Sequence, residues 1–248
     1  MSRRRRTRAS IASAILAAFV LLGGALWLAP RPSGDTPPAS PPAVTSPAPS
    51  STLPPEEAAP GTLASLAASL PLIDEAAAIP DYRRDSFGGR WVDLDGNGCD
   101  QRQDVLSRDL VETTRDRCTV LTGTLNDPYT GAAITFQHDR VAEPGNEGSQ
   151  GVQIDHIVSL SAAHAGGAWQ WTPDERETFA NTLTNLLAVD GETNQSKSDR
   201  GPSDWMPPST AYACDYAQRY TEIVSEWRLS VLSADRDALT ATLTSCGR

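Results

Sequence analysis

The sequence predicts an α+β fold, and three observations carry the prediction. Apolar side chains recur at helical 3–4 spacing, as in Leu63, Leu66, Leu70 and Ile73 and in Tyr212, Tyr216, Tyr220, Val224, Trp227 and Val231. Other stretches alternate or run apolar over strand lengths, at Cys118–Leu125, Ala133–Phe136, Val152–Val158 and Leu186–Val189. Between the first two of these, Asn126-Asp127-Pro128-Tyr129-Thr130-Gly131 has the composition of a turn that returns one strand beside another.

The chain has 248 residues and divides into three parts. Residues 1–30 begin with Arg3, Arg4, Arg5, Arg6 and Arg8 and then run without charge from about Ala9 to Ala29. At ~1.5 Å per residue, such a run reaches across a bilayer core of about 30 Å. The preceding arginines favour an N-terminus held in the cytoplasm, as an uncleaved transmembrane anchor, with a cleaved signal peptide as the competing reading. Either way the rest of the chain is expected outside the cytoplasm, secreted or anchored. Residues 31–61 are rich in Pro, Ser, Ala and Thr and are expected to be a disordered tether, since they offer too little apolar surface to offset the entropy of ordering. Residues 62–248 are expected to form one folded domain.

Within that domain, Thr62 to Ile79 is expected to be helical, and a second helix follows the Asp95–Asp100 loop through about Leu110. The turn-linked strands of the first paragraph come next, then the Val152–Val158 strand. Thr172-Pro173-Asp174-Glu175 combines an N-cap Thr, Pro at the first helical position and Glu at the third, which starts a helix running to about Leu183. After Leu186–Val189, Asp190 is placed to cap a short helix from Gly191 to Arg200, stopped by Gly201-Pro202. Ser209–Leu232 reads as a long helix, and Ser233 caps a last one to about Thr244. Cys99, Cys118, Cys214 and Cys246 are an even set in an exported chain, which argues for two disulfides. Pairing Cys99 with Cys118 and Cys214 with Cys246 is favoured because each pair brackets one unit. No CxxC or CxxH spacing supports zinc.

Beyond residue 30 the chain carries 16 basic and 31 acidic side chains, a formal charge of −15. That is not the footprint of a tight non-specific nucleic-acid binder. Chemistry on nucleic acid would have to be local and metal-dependent.

The residues that carry chemistry are Asp155-His156 at the end of an apolar run, followed by Asn185, Asn194 and Lys197. Lys197 is the only lysine in the chain. Phosphodiester hydrolysis needs an activated water, charge neutralisation at the phosphate and help for the leaving oxygen, and a divalent cation on oxygen ligands supplies the last two. Asp155 offers a carboxylate and Asn194 an amide oxygen. His156 has the basicity to take a proton from water near neutral pH. Asn194 and Lys197 are three apart on one helix, so they share a face, and Lys197 is read as a phosphate-facing cation. Neighbours on a regular strand point to opposite faces, so Asp155 and His156 converge only if the strand twists or ends there.

Gln153-Ile154-Asp155-His156-Ile157-Val158, Asn185-Leu186-Leu187-Ala188-Val189 and Asn194-Gln195-Ser196-Lys197-Ser198-Asp199 resemble the HNH (ββα-metal) endonucleases. More narrowly they resemble exported HNH-endonuclease-family proteins related to the nuclease domain of the GmrSD restriction enzymes, and the order also resembles the HNH domain of CRISPR effector nucleases. The core match spans about 150–205, and Phe87-Gly88, Asp95–Asp100 and Asp127–Gly131 extend it. The resemblance implies a ββα-metal core, to which the spacing and turn signals above add N- and C-terminal helices and a β-hairpin. It implies His156 as general base, Asp155 and Asn194 as metal ligands, and Asn185 as the residue that orients the loop between the strands. It implies Mg²⁺, with Mn²⁺ second, as the ion and DNA, with RNA second, as substrate; no protein partner is inferred. The insert of about residues 160–184 stretches the spacing to Asn185.

Three further features are weaker. Asp93-x-Asp95-x-Asn97-Gly98, with Asp104 at the twelfth position, partly mimics an EF-hand loop and makes Asp93, Asp95, Asn97 and Asp104 a candidate Ca²⁺ site. The alternative to a nuclease is therefore a non-catalytic calcium-binding cell-surface module on a nuclease-derived fold. Arg102 and Arg108 are candidate phosphate contacts. His164 reads as a surface histidine, and His138 has no assigned role.

Overall fold

The computed structural model describes residues 62–248, so the expected anchor and tether, at residues 1–61, lie outside the described residues. Seven α-helices and two small antiparallel sheets make up the described part. Among these residues no helix is long and apolar enough to cross a membrane.

Helix α1 spans Leu63–Ala68, capped by Thr62, whose hydroxyl accepts from the Ser65 N–H. It is far shorter than the 3–4 spacing suggested. Pro71 has no N–H to continue the ladder and disfavours helical backbone at Leu70, and the chain beyond it bridges Leu72 to Val231 instead. Helix α2 (Gln101–Asp109) is capped by the Asp100 carboxylate. Strand β1 (Leu110–Asp116) was not expected. Only its first residue is buried, and it is the edge of a three-stranded sheet β1-β2-β3 with β2 (Thr119–Asn126) and β3 (Ala133–Gln137). Its pairing is carried by backbone, and a register shift follows Val111, beside Glu112 with φ +53°.

The second sheet pairs β4 (Val152–His156) with β5 (Leu186–Asp190) in antiparallel register, Asp155 opposite Leu187 and His156 opposite Leu186. Both faces of this hairpin are covered. Val152, Ile154, Leu186 and Ala188 join Val105, Leu106, Val120 and Phe136 in one apolar cluster. Leu187 and Val189 join Tyr129, Phe179, Tyr216 and Tyr220 in the other. That double burial is why β5 reads as an unbroken apolar run.

Between the two strands lie α3 (Leu160–Ala165) and α4 (Pro173–Asn181). Helix α4 starts on the capping box expected from its sequence: the Thr172 hydroxyl accepts from Glu175 N, and Glu175 accepts from Thr172 N. Helix α3 was not expected. It is a six-residue turn capped by Ser159 and ended at Gly166, where a Cβ would lie 2.4 Å from the Ser230 carbonyl. Helix α5 (Gly191–Lys197) follows β5 directly, capped by Asp190 as expected. Gly191 is needed there, because a Cβ would lie 1.9 Å from the Gln150 carbonyl. The helix stops before Arg200, at Ser198 with φ +54°.

Helix α6 (Thr210–Glu226) ends six residues earlier than its periodicity suggested, with Arg228 at φ +52° and the Leu229 N–H returning to the Val224 carbonyl. Helix α7 (Ser233–Ser245) closes the chain and packs on α1 and α6. The disulfides are Cys99–Cys118 and Cys214–Cys246, with Cα–Cα distances of 5.4 and 6.0 Å. The first ties the loop before α2 to the β1–β2 turn, and the second staples α6 to the end of α7.

Candidate active site

Asp155 and His156 occupy the last two positions of β4, where the pleat sends their side chains to opposite faces. They are anchored on different supports. The Asp155 carboxylate is enclosed: Oδ1 accepts from Lys197 Nζ at 3.0 Å and Oδ2 from the Tyr129 hydroxyl at 2.5 Å. Burial raises its pKa, while Lys197 and the Tyr129 hydroxyl pull it down. The same burial, with the neighbouring carboxylate, raises the Tyr129 phenol well above its ordinary range, so it stands as a neutral donor.

Lys197 is a correction to the sequence reading. It was expected to face a phosphate, but its side chain is fully buried, and Nζ also donates to the His156 carbonyl at 2.8 Å. The short α5 points it inward, where the buried carboxylate captures it. It is the internal counter-ion of Asp155 and is not itself free to meet substrate.

The His156 ring lies against α4 and Trp91. Its Nε2 is 2.8 Å from the Ala180 carbonyl, which can only accept, so Nε2 carries the proton and Nδ1 is the basic nitrogen. Trp91 stacks on the ring with planes 9° apart and centroids 5.9 Å apart. Burial lowers the His156 pKa from 6.5 to about 4, with Arg84 and Lys197 acting in the same direction against the Ala180 hydrogen bond. The imidazole is therefore neutral at neutral pH. The 160–184 insert is thus more than a spacer, because the carbonyl that orients His156 belongs to its helix α4.

This shift has a sign for stability. The unfolded chain takes up a proton at His156 near pH 6.5, while the native chain resists until about pH 4. The contribution is complete above pH 6.5 and is lost as pH falls from 6.5 toward 4. The Asp155 shift acts in the opposite sense, at the acid end where carboxyls titrate. Thermal melts of metal-free protein should therefore show Tm dropping from pH 7 to pH 5, and His156→Gln should flatten that slope. An equal slope in both proteins would show that other groups set it.

Asn185, fully buried, clasps the Val158 peptide: its Oδ1 accepts from Val158 N at 2.9 Å and its Nδ2 donates to Val158 O at 3.1 Å. It fixes the backbone that leaves β4 and touches no solvent. Asn194, on α5, donates from Nδ2 to Gln153 Oε1 at 3.0 Å, which turns its amide oxygen the other way. Asp155, His156, Asn194 and Gln153 line one open cleft of about 610 Å³.

A divalent cation fits this donor set. Asp155 and Asn194, both oxygen donors, are among the residues that line one cleft, and Mg²⁺ keeps several waters and commonly takes only one or two protein ligands. Among the described residues no three His, Cys, Asp or Glu side chains converge as a closed metal cage. Lys197 already neutralises Asp155, so such an ion would be held weakly.

The candidate calcium loop is arranged differently from an EF-hand. Asp93 accepts from the Gly96 and Gly98 amides, Asp95 from the Asn97 backbone and side chain, and Asn97 Oδ1 from Cys99 N. Asp104 accepts from Asn97 Nδ2 and Gln101. These oxygens accept from the loop's own donors, with Asn97 Nδ2 bridging Asp95 and Asp104. Arg108, read as a phosphate contact, ties α2 to the Leu183 and Leu186 carbonyls and to Asp109. His164 is buried rather than on the surface, donating Nε2–H to the Pro80 carbonyl and packing on Tyr82 and Phe87. His138 accepts the Arg140 amide and stays away from the cleft.

The residue that sequence reasoning missed is Tyr129. It was visible only within the Asp127–Gly131 stretch, as turn composition and as part of the wider resemblance, with no role assigned. Asp127 accepts the Thr130 and Asp190 amides, the Tyr129 carbonyl accepts from Ser209 N, and Trp205, Tyr212 and Tyr216 surround the ring. The turn between β2 and β3 is thereby bound to the start of α5 and of α6, and its tyrosine reaches the site carboxylate. An aromatic within a turn that must otherwise face solvent was a physical clue to it.

A helix-backed hairpin thus brings a carboxylate, a neutral imidazole and an amide to the lining of one cleft, and a family match puts this arrangement in a nuclease-related domain. Residues 100–242 match the family described as GmrSD restriction endonucleases, C-terminal domain, and the chain belongs to that family. A protein of Arthroderma benhamiae named "Uncharacterized secreted protein" is 39% identical over 168 residues, covering 66% of this chain and 76% of that one. No solved structure matches the chain.

Proposed function

We propose that the protein is an exported, HNH-type (ββα-metal) endonuclease that hydrolyses phosphodiester bonds in DNA with one divalent cation, Mg²⁺. The observation that carries this reading is the run β4–β5–α5, which sets Asp155, Asn194 and a neutral His156 on one cleft. The family membership supports nuclease chemistry, and the printed name of the Arthroderma relative supports export.

His156 Nδ1 takes a proton from water, and the Ala180 carbonyl holds the tautomer that leaves this nitrogen free. Asp155 and Asn194 would hold the cation, which would supply charge neutralisation on the phosphate and the leaving oxygen. Asn185 fixes the turn out of β4, and Lys197 and Tyr129 fix the carboxylate.

The test is plasmid nicking by the purified full chain with Mg²⁺ or Mn²⁺ and with EDTA. Metal-dependent nicking supports the reading, and the absence of nicking with every ion tried sinks it. Tyr129→Phe removes one of the two donors on Asp155 without removing a ligand. It should raise the Mg²⁺ concentration for half-maximal nicking by about 10–100-fold, as loss of such supporting hydrogen bonds does elsewhere. It should also cost about 1–3 kcal/mol of stability for the buried acceptor left unpaired. Unchanged Mg²⁺ dependence would reduce Tyr129 to a core residue.

A further inference from the structure

With Lys197 enclosed, the cleft needs another cation if it is to hold an anionic strand against a chain whose exported part is −15. Arg84 is in the right place. It opens a 3-10 turn, Arg84–Phe87, and its side chain is exposed. It lines the 610 Å³ cleft that holds Asp155, His156 and Asn194. It also lines a second concavity of about 400 Å³, walled by Arg90, Trp91 and Asn181. The two hollows share three residues: Arg84, His156 and Leu160. Arg84 and the imidazole thus stand together where the hollows meet.

Two further observations separate Arg84 from an ordinary solvated arginine. Its neighbour Arg83 has already taken the local acid, pairing with Asp85 at 2.6 Å, and Arg84 makes no ion pair among the described residues. The turn that carries it is fixed. Arg176 of α4 donates to the Ser86 carbonyl at 2.8 Å, and Phe87 is buried against Phe179. The same helix α4 therefore anchors both Arg84's turn and, through the Ala180 carbonyl, His156. A guanidinium with no ion pair, beside the Tyr82 hydroxyl and on a fixed support, is suited to bidentate contact with phosphate oxygens. Each hollow has the size of an ordinary ligand pocket.

We propose that Arg84 binds the scissile phosphate of a nucleic-acid strand laid across this junction, with the nucleotides on either side seated in the two hollows. The proposal rests on the nuclease reading above. It assigns the substrate contact to a residue outside the 100–242 family match and takes that role away from Lys197.

The experiment is metal-dependent cleavage of a short oligonucleotide by the full chain, comparing the parent with Arg84→Gln, Arg84→Lys and Arg83→Gln across salt concentrations. Melting curves check that each variant folds, which the exposure of both arginines favours. Arg84→Gln should lower kcat/KM by about 10–100-fold, the scale of a charge-assisted phosphate contact. It should also reduce the slope of log kcat/KM against log salt by about 1, as one phosphate contact is lost. Arg84→Lys should keep the salt slope and recover part of the rate, and Arg83→Gln should match the parent. A parent that cleaves beside an Arg84→Gln protein with equal kcat/KM and equal salt slope overturns the proposal and leaves the nuclease reading standing. A parent that cleaves nothing with any ion overturns both.

Discussion

His156→Ala should lower metal-dependent nicking by about 10²–10⁴-fold, the range that a positioned general base contributes. The imidazole is the one group in the cleft that combines a free basic nitrogen with the right protonation state. Asp155 is committed to Lys197 and Tyr129, and Asn185 to the Val158 peptide. Because burial holds His156 near pKa 4, its protonation should not limit the rate between pH 6 and 8. A decline governed by this residue should begin only below about pH 5, rather than at the ordinary histidine midpoint. The His156→Gln variant separates chemistry from packing, since it keeps an amide donor for the Ala180 carbonyl and most of the contact with Trp91. An H156A or H156Q protein that nicks as fast as the parent would remove this residue from the mechanism.

Much of this site could be read from the sequence, for a physical reason. Asp155 and His156 lie on β4, Asn185 in the short turn that leads into β5, and Asn194 and Lys197 on the helix that follows β5 directly, so short-range periodicity and caps are enough to place them. Asp190 caps α5 and Thr172 with Glu175 starts α4 because those hydrogen bonds are local. The misreadings were also local in origin. Pro71 ends α1 although the leucine spacing continues through it. Arg228 ends α6 in a left-handed conformation that a glycine would have signalled and an arginine does not. Strand β1 buries one residue in seven, so its sequence carries no alternation to detect.

The tertiary contacts were not legible. Tyr129 reaches Asp155 across 26 positions, and Ala180 orients His156 across 24, through a backbone carbonyl that any residue would supply. Lys197 shows the limit most clearly. Its spacing from Asn194 was read correctly as one helical face, but spacing does not say whether that face meets substrate or core. The buried carboxylate decides it.

The second large effect follows from that burial. Lys197→Met should destabilise the protein by about 3–5 kcal/mol, because it removes the partner and leaves the Asp155 carboxylate uncompensated in the interior. A phosphate-facing lysine would behave in the opposite way, with stability unchanged and substrate binding weakened. Denaturant midpoints of the parent and the variant distinguish the two directly. The Asp155→Asn/Lys197→Met pair should recover a large part of the loss, since the buried charge goes with its partner. The pH dependence gives a further check. Burial already raises Asp155, and without the ammonium only the Tyr129 hydroxyl and the local backbone favour its charged form, so its native pKa rises further. A carboxyl whose native pKa lies above its unfolded value stabilises the folded state less as pH rises through that native pKa. The cost of Lys197→Met should therefore be greatest near pH 8 and shrink toward pH 5, where the native carboxyl can take up a proton. If the variant has the parent's denaturant midpoint at pH 8, the ion pair contributes nothing to the fold, and Lys197 must be sought again as a ligand of the substrate.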